Sequence, residues 1–340
     1  MGCSAVALGA VFVTAIDQQE RIGVVLLNLG GPERLDDVEP FLYNLFSDRQ
    51  IIRLSPLPFL QKPLARLIAR RRAPKSRACY SRIGGGSPLT RITTEQASDL
   101  AAALAEHGSF LVTAAMRYWQ PRADLVITAL QRAGISKIVA LTLYPHYSVA
   151  TTGSSLVDLR QAVSTVSPKL QLAEISSWPE EPAYIDCLAE LIRKGIKNFG
   201  GAAVELVYSA HSLPVKFIEE GDPYVDELRK TIEAVEKITG LPGRLCFQSR
   251  SGPVRWLTPS TPEMLETLAA EGAKNVLIVP ISFVSDHVET LYEIDQLYKE
   301  RAKSLGMRLE RTDSLNTLPG FIRALQNLVL AASRQHGFLP

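Results

Sequence analysis

Residues 275–303 read NVLIVPISFVSDHVETLYEIDQLYKERAK. The first six, Asn275–Pro280, are apolar after the leading asparagine, the pattern of a strand buried on both faces. From Val288 to Lys303 the apolar positions return at helical spacing, with Val288, Leu291, Tyr292 and Tyr298 on the packing side. Strand, loop and helix in that order make half of a βαβ unit, and the rest of the chain repeats it. Gly23–Leu29, Phe110–Ala114, Lys137–Leu143, Leu170–Glu174, Val204–Tyr208 and Arg244–Gln248 read as further buried strands. Between them, Thr93–Glu106, Arg122–Ala133, Tyr184–Asn198, Asp222–Thr239 and Pro262–Glu271 read as helices. Such alternation implies parallel sheets covered on both faces. The pattern runs twice, which predicts an α/β protein of two doubly wound, Rossmann-like domains with a cleft between them. Their expected spans are 21–170 and 171–305, with residues 306–340 supplying a helix near Pro319–Ser333 that packs back. Ligands of such folds sit beyond the carboxyl ends of the strands, so the residues there carry the functional reading.

Composition narrows the classes. With 46% hydrophobic and 21% charged residues in 340, this is the make-up of a packed globular chain. Thirty-seven basic groups against 35 acidic ones, a formal charge of +2, give no general attraction to nucleic acid. Cys3, Cys79, Cys187 and Cys246 are far apart and form no CxxC pair. That argues against a disulfide framework or a local iron–sulfur motif and fits a reducing cytoplasm. Met1–Ile16 is uncharged and largely apolar, too short for a membrane span and without a basic leader, so 1–20 reads as a poorly ordered extension or an overlong start, with a weak membrane contact as the lesser alternative.

Two segments after strands of the second half are the sharpest. Ser209-Ala210-His211-Ser212-Leu213-Pro214 puts His211 at a strand end facing the cleft, where an imidazole accepts a proton or ligates a metal; a histidine merely satisfied by a backbone bond is the competing reading. Asp286 stands at the expected helix start with Glu289 three positions on, which matches a capping box. Yet Asp286, Glu289, Glu293, Gln296 and Glu300 step by three or four, making one helix face an acidic and polar line. A solvated face explains that line as well as a metal route does. Asn28-Leu29-Gly30-Gly31-Pro32 lacks both GxGxxG and a Walker lysine, which leaves a tight turn or a loop open to a flat ligand. Ile83-Gly84-Gly85-Gly86-Ser87-Pro88 is a hinge or an anion cradle. Residues 51–77 combine Leu57, Phe59, Leu60, Leu64, Leu67 and Ile68 with Arg66, Arg70, Arg71, Arg72, Lys75 and Arg77. Such a segment either lies in a membrane interface as a lip or docks on its own domain.

Taken together, these motifs resemble those of the ferrochelatases. The resemblance runs from about Gly23 to Leu330 through NLGGP at 28–32, FLYNLF at 41–46, IGGGSP at 83–88, MRYW at 116–119, TTGSS at 151–155, SAHSLP at 209–214, GDPY at 221–224, QSRSGPVRWL at 248–257 and SFVSDHVETLYEID at 282–295. It implies two chelatase domains with porphyrin between them and insertion of Fe²⁺ into protoporphyrin IX to form protohaem, with loss of two pyrrole protons. By the same resemblance His211 is the active-site histidine and Glu289 the acidic metal-site residue opposite it. Arg72, Tyr80 and Ser87 fall where the family contacts porphyrin propionates, and Tyr118 and Trp256 among its pocket residues; Asp286 and Glu293, on the acidic line, are the candidates for an iron path. Ser251 stands where the family usually has Val. Iron is then a substrate, no tightly bound cofactor is expected, and no cysteine cluster matches an iron–sulfur site. The lip at 55–72 is similar to that of membrane-associated, protoporphyrin-using members, which implies a cytoplasmic protein held peripherally at a membrane surface. A coproporphyrin-using enzyme and a non-catalytic tetrapyrrole carrier are the alternatives; His211 together with Glu289 argues against a carrier, which needs neither base nor iron route.

Overall fold

The computed structural model describes residues 21–340, so the expected extension over 1–20 lies outside the described residues. In the first half β1 (Ile22–Asn28) leads through α1 (Val38–Ser47), α2 (Gln61–Ser81) and α3 (Leu89–Leu104) to β2 (Phe110–Met116). Then follow α4 (Ala123–Arg132), β3 (Lys137–Thr142), α5 (Ser154–Val166) and β4 (Gln171–Ile175). The second half holds α6 (Pro182–Lys197), β5 (Glu205–His211), α7 (Val215–Glu219), α8 (Tyr224–Thr239), β6 (Gly243–Gln248), α9 (Thr261–Ala270) and β7 (Asn275–Pro280). A helix over Glu289–Tyr298, α10 (Lys299–Ser304), β8 (Arg308–Arg311) and α11 (Pro319–Gln335) complete it.

Every strand pairing is parallel, and the two sheets share one order, β2-β1-β3-β4 and β6-β5-β7-β8. The doubly wound repeat read from the sequence is therefore present. All seven residues of β1 are buried, as an apolar strand covered on both faces must be. The first sheet runs past 170 to Ile175 and the second past 305 to Arg311, correcting both boundaries. β8 escaped the sequence reading because its four residues, RLER, carry three charges. In each sheet the chain passes from the middle strand to one edge and then crosses back, so the switch points lie between β1 and β3 and between β5 and β7.

The helix after β7 departs most from expectation. Over Glu289–Tyr298 it is a π-helix, not an α-helix. Bonds from i to i+5 widen it to about 4.4 residues per turn, so residues three and four apart no longer trace one straight face. The line from Asp286 to Glu300 accordingly breaks. Glu289 and Glu293 turn inward, whereas Glu300 is exposed.

α2 is also built differently from its bulky residues. Gln61, Ala65, Ala69, Ala73 and Tyr80 form its buried face. Gln61 fastens the preceding loop by donating to the carbonyls of Phe46 (2.7 Å) and Ile52 (2.9 Å). The small residues let α2 lie close on α1, leaving Leu57, Phe59 and Leu67 49%, 71% and 44% exposed. α11 packs on α3, α6, β3 and β4, and its Phe321 lies 6.1 Å from Trp178, so a helix late in the chain joins the two halves.

The NLGGP and IGGGSP loops cross in contact, with Ser87 N–H donating to Pro32 O at 2.7 Å. A Cβ at Gly31 would lie 2.6 Å from the Ser87 side chain, and one at Gly86 only 2.0 Å from Glu33 O. At Gly31 and Gly86, glycine serves close backbone approach. Gly86→Ala is expected to cost about 1–3 kcal/mol through overpacking, seen as a lower urea midpoint at unchanged m-value. An unchanged midpoint would mean that the loops part without strain.

Candidate active site

The second switch point gathers ionisable groups from three strand ends. His211 is the last residue of β5, and its backbone is held on both sides: its N–H donates to Ser282 Oγ (3.0 Å) and its carbonyl accepts from Tyr224 Oη (3.0 Å). The imidazole Nδ1 lies 2.8 Å from Glu289 Oε2 in the first turn of the π-helix. With that carboxylate ionised, Nδ1 carries the hydrogen and Nε2 is the nitrogen left to accept a proton. The His211 side chain is 38% exposed and that of Glu289 17%, so the pair is open on the histidine side.

Beyond β6, Ser249 adopts a left-handed φ of 65°, uncommon for a residue with a side chain. That conformation aims its Oγ between two carboxylates, 2.5 Å from Glu289 Oε2 and 2.6 Å from Glu293 Oε2. A hydroxyl has one proton to donate. When Glu293 is protonated it donates to Ser249, which donates to Glu289, which accepts from His211: an unbroken chain of four groups. Gln248 Nε2 donates to Glu289 O (3.1 Å), and Tyr298 Oη donates to Glu293 (3.3 Å).

The electrostatics separate the two acids. Burial raises the Glu293 pKa, the adjacent Glu289 charge adds to this, and it stands at about 7. Burial pushes Glu289 the same way, but the charge and hydrogen bond of His211, with His287 and Ser249, hold it below the usual carboxylate range. For His211, burial disfavours the charged ring, yet Glu289 and more distantly Glu293 outweigh it and raise the pKa. Two acids driven apart in proton affinity beside a histidine form a site that can hold and move protons. The imidazole and carboxylate also supply nitrogen and oxygen donors to a divalent ion.

The remaining sequence-selected residues divide. Tyr80, at the end of α2, is buried, and burial with the nearby Glu289 charge raises its hydroxyl pKa. α2 meets the π-helix there: Arg82 lies over the Tyr292 ring at 5.7 Å, and Gln296 Nε2 donates to Arg82 O at 3.1 Å. Trp256 is half-buried beside Pro214 on the His211 loop, and Arg72 is exposed against the Phe46 ring. Tyr118 is 1% exposed and donates to Asp48 Oδ2 at 2.7 Å, so its ring is packed within the first half. Asp286 faces away from the acids, accepting from Ser314 Oγ (2.7 Å) and Asn316 Nδ2 (2.8 Å). Its own N–H donates to Asn316 Oδ1 and the helix has no side-chain cap, which removes the capping-box reading of Glu289.

Ser249, Gln248, Ser282, Tyr224 and His287 were not singled out from the sequence. His287 is 8% exposed, with Nε2 4.0 Å from Glu289 Oε1 and its ring 4.3 Å from Phe283. Inspecting the end of β6 as closely as those of β5 and β7 finds Ser249.

The ferrochelatase family model matches residues 21–333. A ferrochelatase of Desulfotalea psychrophila is 60% identical over 311 residues, covering 92% of this chain and 97% of the relative. One of Geotalea uraniireducens is 49% identical over 313 residues, covering 91% and 97%. Among solved structures, SirB from Bacillus subtilis with Fe³⁺ superposes with a TM-score of 0.52 at 12% identity, covering 92% of this chain and 95% of that one. At that identity the likeness speaks for the fold alone.

In an NMR titration, the His211 ring is expected to change charge above the ordinary value of about 6.5. Below that raised pKa the ring is charged; above it the ring is a free base. Glu289→Gln should lower the midpoint, since the carboxylate is what opposes burial, and Ser249→Ala should move it less. A midpoint unmoved in Glu289→Gln would show that another group holds the proton on His211.

Proposed function

This chain belongs to the ferrochelatase family, and from that footing we propose that it inserts Fe²⁺ into protoporphyrin IX to give protohaem, with His211 as base and Glu289 on the metal side. As a member it is an enzyme, a porphyrin metal chelatase, and acts on a porphyrin and ferrous iron. The observation that carries the residue assignment is the 2.8 Å contact between His211 Nδ1 and Glu289 Oε2 at the β5–β7 switch point.

Insertion requires two pyrrole protons to leave as iron sheds its water. His211 Nε2 receives a proton and Glu289 stabilises the imidazolium that results. With Glu293 ionised, Ser249 Oγ donates to it while accepting from a protonated Glu289, so the relay passes a proton outward from His211 to Glu293, and a second passage takes the second pyrrole proton. Glu289 offers a hard oxygen to the arriving ion. Arg72 and Ser87 are suited to the propionates and Trp256 to the flat face of the ring, with Tyr80 and Tyr118 as buried supports. Asp286, bound to Ser314 and Asn316, leaves Glu293 as the acid of an iron route. Iron enters as a substrate in this reading, and no resident cofactor is assigned a role in the insertion.

The choice of porphyrin follows from the lip. Leu57, Phe59 and Leu67 are exposed beside Arg66, Arg70 and Arg71, a surface suited to the edge of an anionic bilayer and to an apolar porphyrin delivered from it. No helix among the described residues is long and apolar enough to cross a membrane.

Anaerobic turnover followed by absorbance is expected to be faster with protoporphyrin than with coproporphyrin; the reverse order would assign the chain to the coproporphyrin branch. His211→Ala should lose at least roughly 10²-fold in turnover while porphyrin still binds. Turnover near wild type would leave the mechanism without its base.

Anionic liposomes should bind the protein, less as salt rises. Changing Leu57, Phe59 and Leu67 together to Ser should abolish that binding at unchanged melting temperature. Equal binding by the triple variant would place the membrane contact elsewhere.

A further inference from the structure

A π-helix is rare, and its hydrogen bonds alone favour it less than an α-helix, so side chains must hold it at its pitch. Arg311, the last residue of β8 and 10% exposed, touches this helix and the loop that enters it. Its Nε and Nη2 donate in parallel to the two oxygens of Asp295, at 2.9 and 2.8 Å, in the second turn of the helix. Its Nη1 lies 3.3 Å from Asp286 Oδ1, in the loop that enters the helix, and donates to Ser314 Oγ at 3.0 Å. One rigid fork thus spans from before the helix to its seventh residue, Asp295, with Glu289 and Glu293 between the two grips.

 Asn316 completes the grip. It holds a left-handed φ of 42°, donates through Nδ2 to Asp286 Oδ2 (2.8 Å), and accepts the Asp286 N–H on Oδ1 (2.9 Å). Its carbonyl accepts from Gln96 Nε2 of α3 at 2.7 Å, which ties the same point to the first half.

We propose that Arg311 is a positioning residue for iron insertion: by bridging Asp286 and Asp295 it fixes the pitch of the π-helix and so keeps Glu289 and Glu293 turned toward His211 and Ser249. The assignment rests on reading Glu289 as the metal-side carboxylate. A guanidinium is required because its planar fork engages two carboxylates in fixed directions, whereas an ammonium is a single point of charge. Relaxation toward α-helical pitch would turn Glu293 away from Ser249, since each residue would advance by about 100° instead of roughly 80° around the axis.

Arg311→Lys keeps the charge and loses the fork. In steady-state kinetics with Fe²⁺ and protoporphyrin, its kcat per folded molecule is expected to fall roughly 10–100-fold, the usual effect of losing a group that orients a ligand. The KM for porphyrin should hold. Hydrogen exchange should quicken over 289–298 and stay unchanged in β5, β6 and β7. Wild-type kcat in the Lys variant, or exchange that quickens evenly across the second sheet, would reduce Arg311 to a prop of the fold and overturn the proposal. Should Arg311→Lys fail to fold, Asp295→Asn decides the matter: it leaves the Arg311–Asp286 contact and should show the same kinetic split in milder form, whereas normal kcat would overturn the proposal. Glu289→Gln measured alongside separates the two ideas. If it turns over normally, the reading of Glu289 falls; if it is impaired while the Arg311 and Asp295 variants are normal, only the positioning role falls.

Discussion

A carboxylate set among apolar strand ends is costly to keep ionised unless its charge is matched and its lone pairs are filled. Glu289 meets both conditions at once, through the His211 ring and the Ser249 hydroxyl. Each partner arrives from a different strand end, His211 from β5, Ser249 from beyond β6 and Glu289 from the helix after β7. Only a parallel sheet with its switch point between β5 and β7 brings those three ends together. The left-handed backbone at Ser249 and the wide winding of the π-helix are local costs that this convergence requires.

The three-group contact also explains why two glutamates four residues apart behave differently. Glu289 has an imidazole that gains positive charge within hydrogen-bond reach, and Glu293 has a hydroxyl, a phenol and a neighbouring negative charge. Burial then acts on Glu293 with little to oppose it and favours its neutral form. One acid serves as a fixed charge and the other as a group that exchanges a proton near neutral pH. The difference arises from placement, since the side chains are chemically the same.

Much of the fold was legible in the sequence because strands covered on both faces are rich in apolar residues, and of the eight strands among the described residues β8 alone escaped that reading. β8 was hidden by its charges, two of which, Glu310 and Arg311, pair with Lys299 and Asp295. α2 could be seen as amphipathic, but its packing stripe of alanines was masked by the larger residues beside it. His211 and Glu289 were legible as strand-end groups, and they lie in contact at 2.8 Å. Asp286 was placed on one line with Glu289 and Glu293 because the spacing was read at 3.6 residues per turn, and a sequence gives no direct sign that a helix will wind wider. Ser249 is the clearest loss: a serine among polar neighbours gains its meaning from a backbone angle and from two carboxylates 40 and 44 positions away.

The route of the chain through α11 bears on how the protein is made. Both sheets precede this helix, and domains tend to form in order of synthesis as the chain emerges. Each sheet can close on its own helices, but α3 and α6 lack their common neighbour until Phe321 and the residues after it arrive. Arg311 and Asn316, which grip the entry to the π-helix, come almost as late. The chemistry-bearing wall is thus the last part of the molecule to set, and a nascent chain carries both halves of the cleft before it can hold the acids in register.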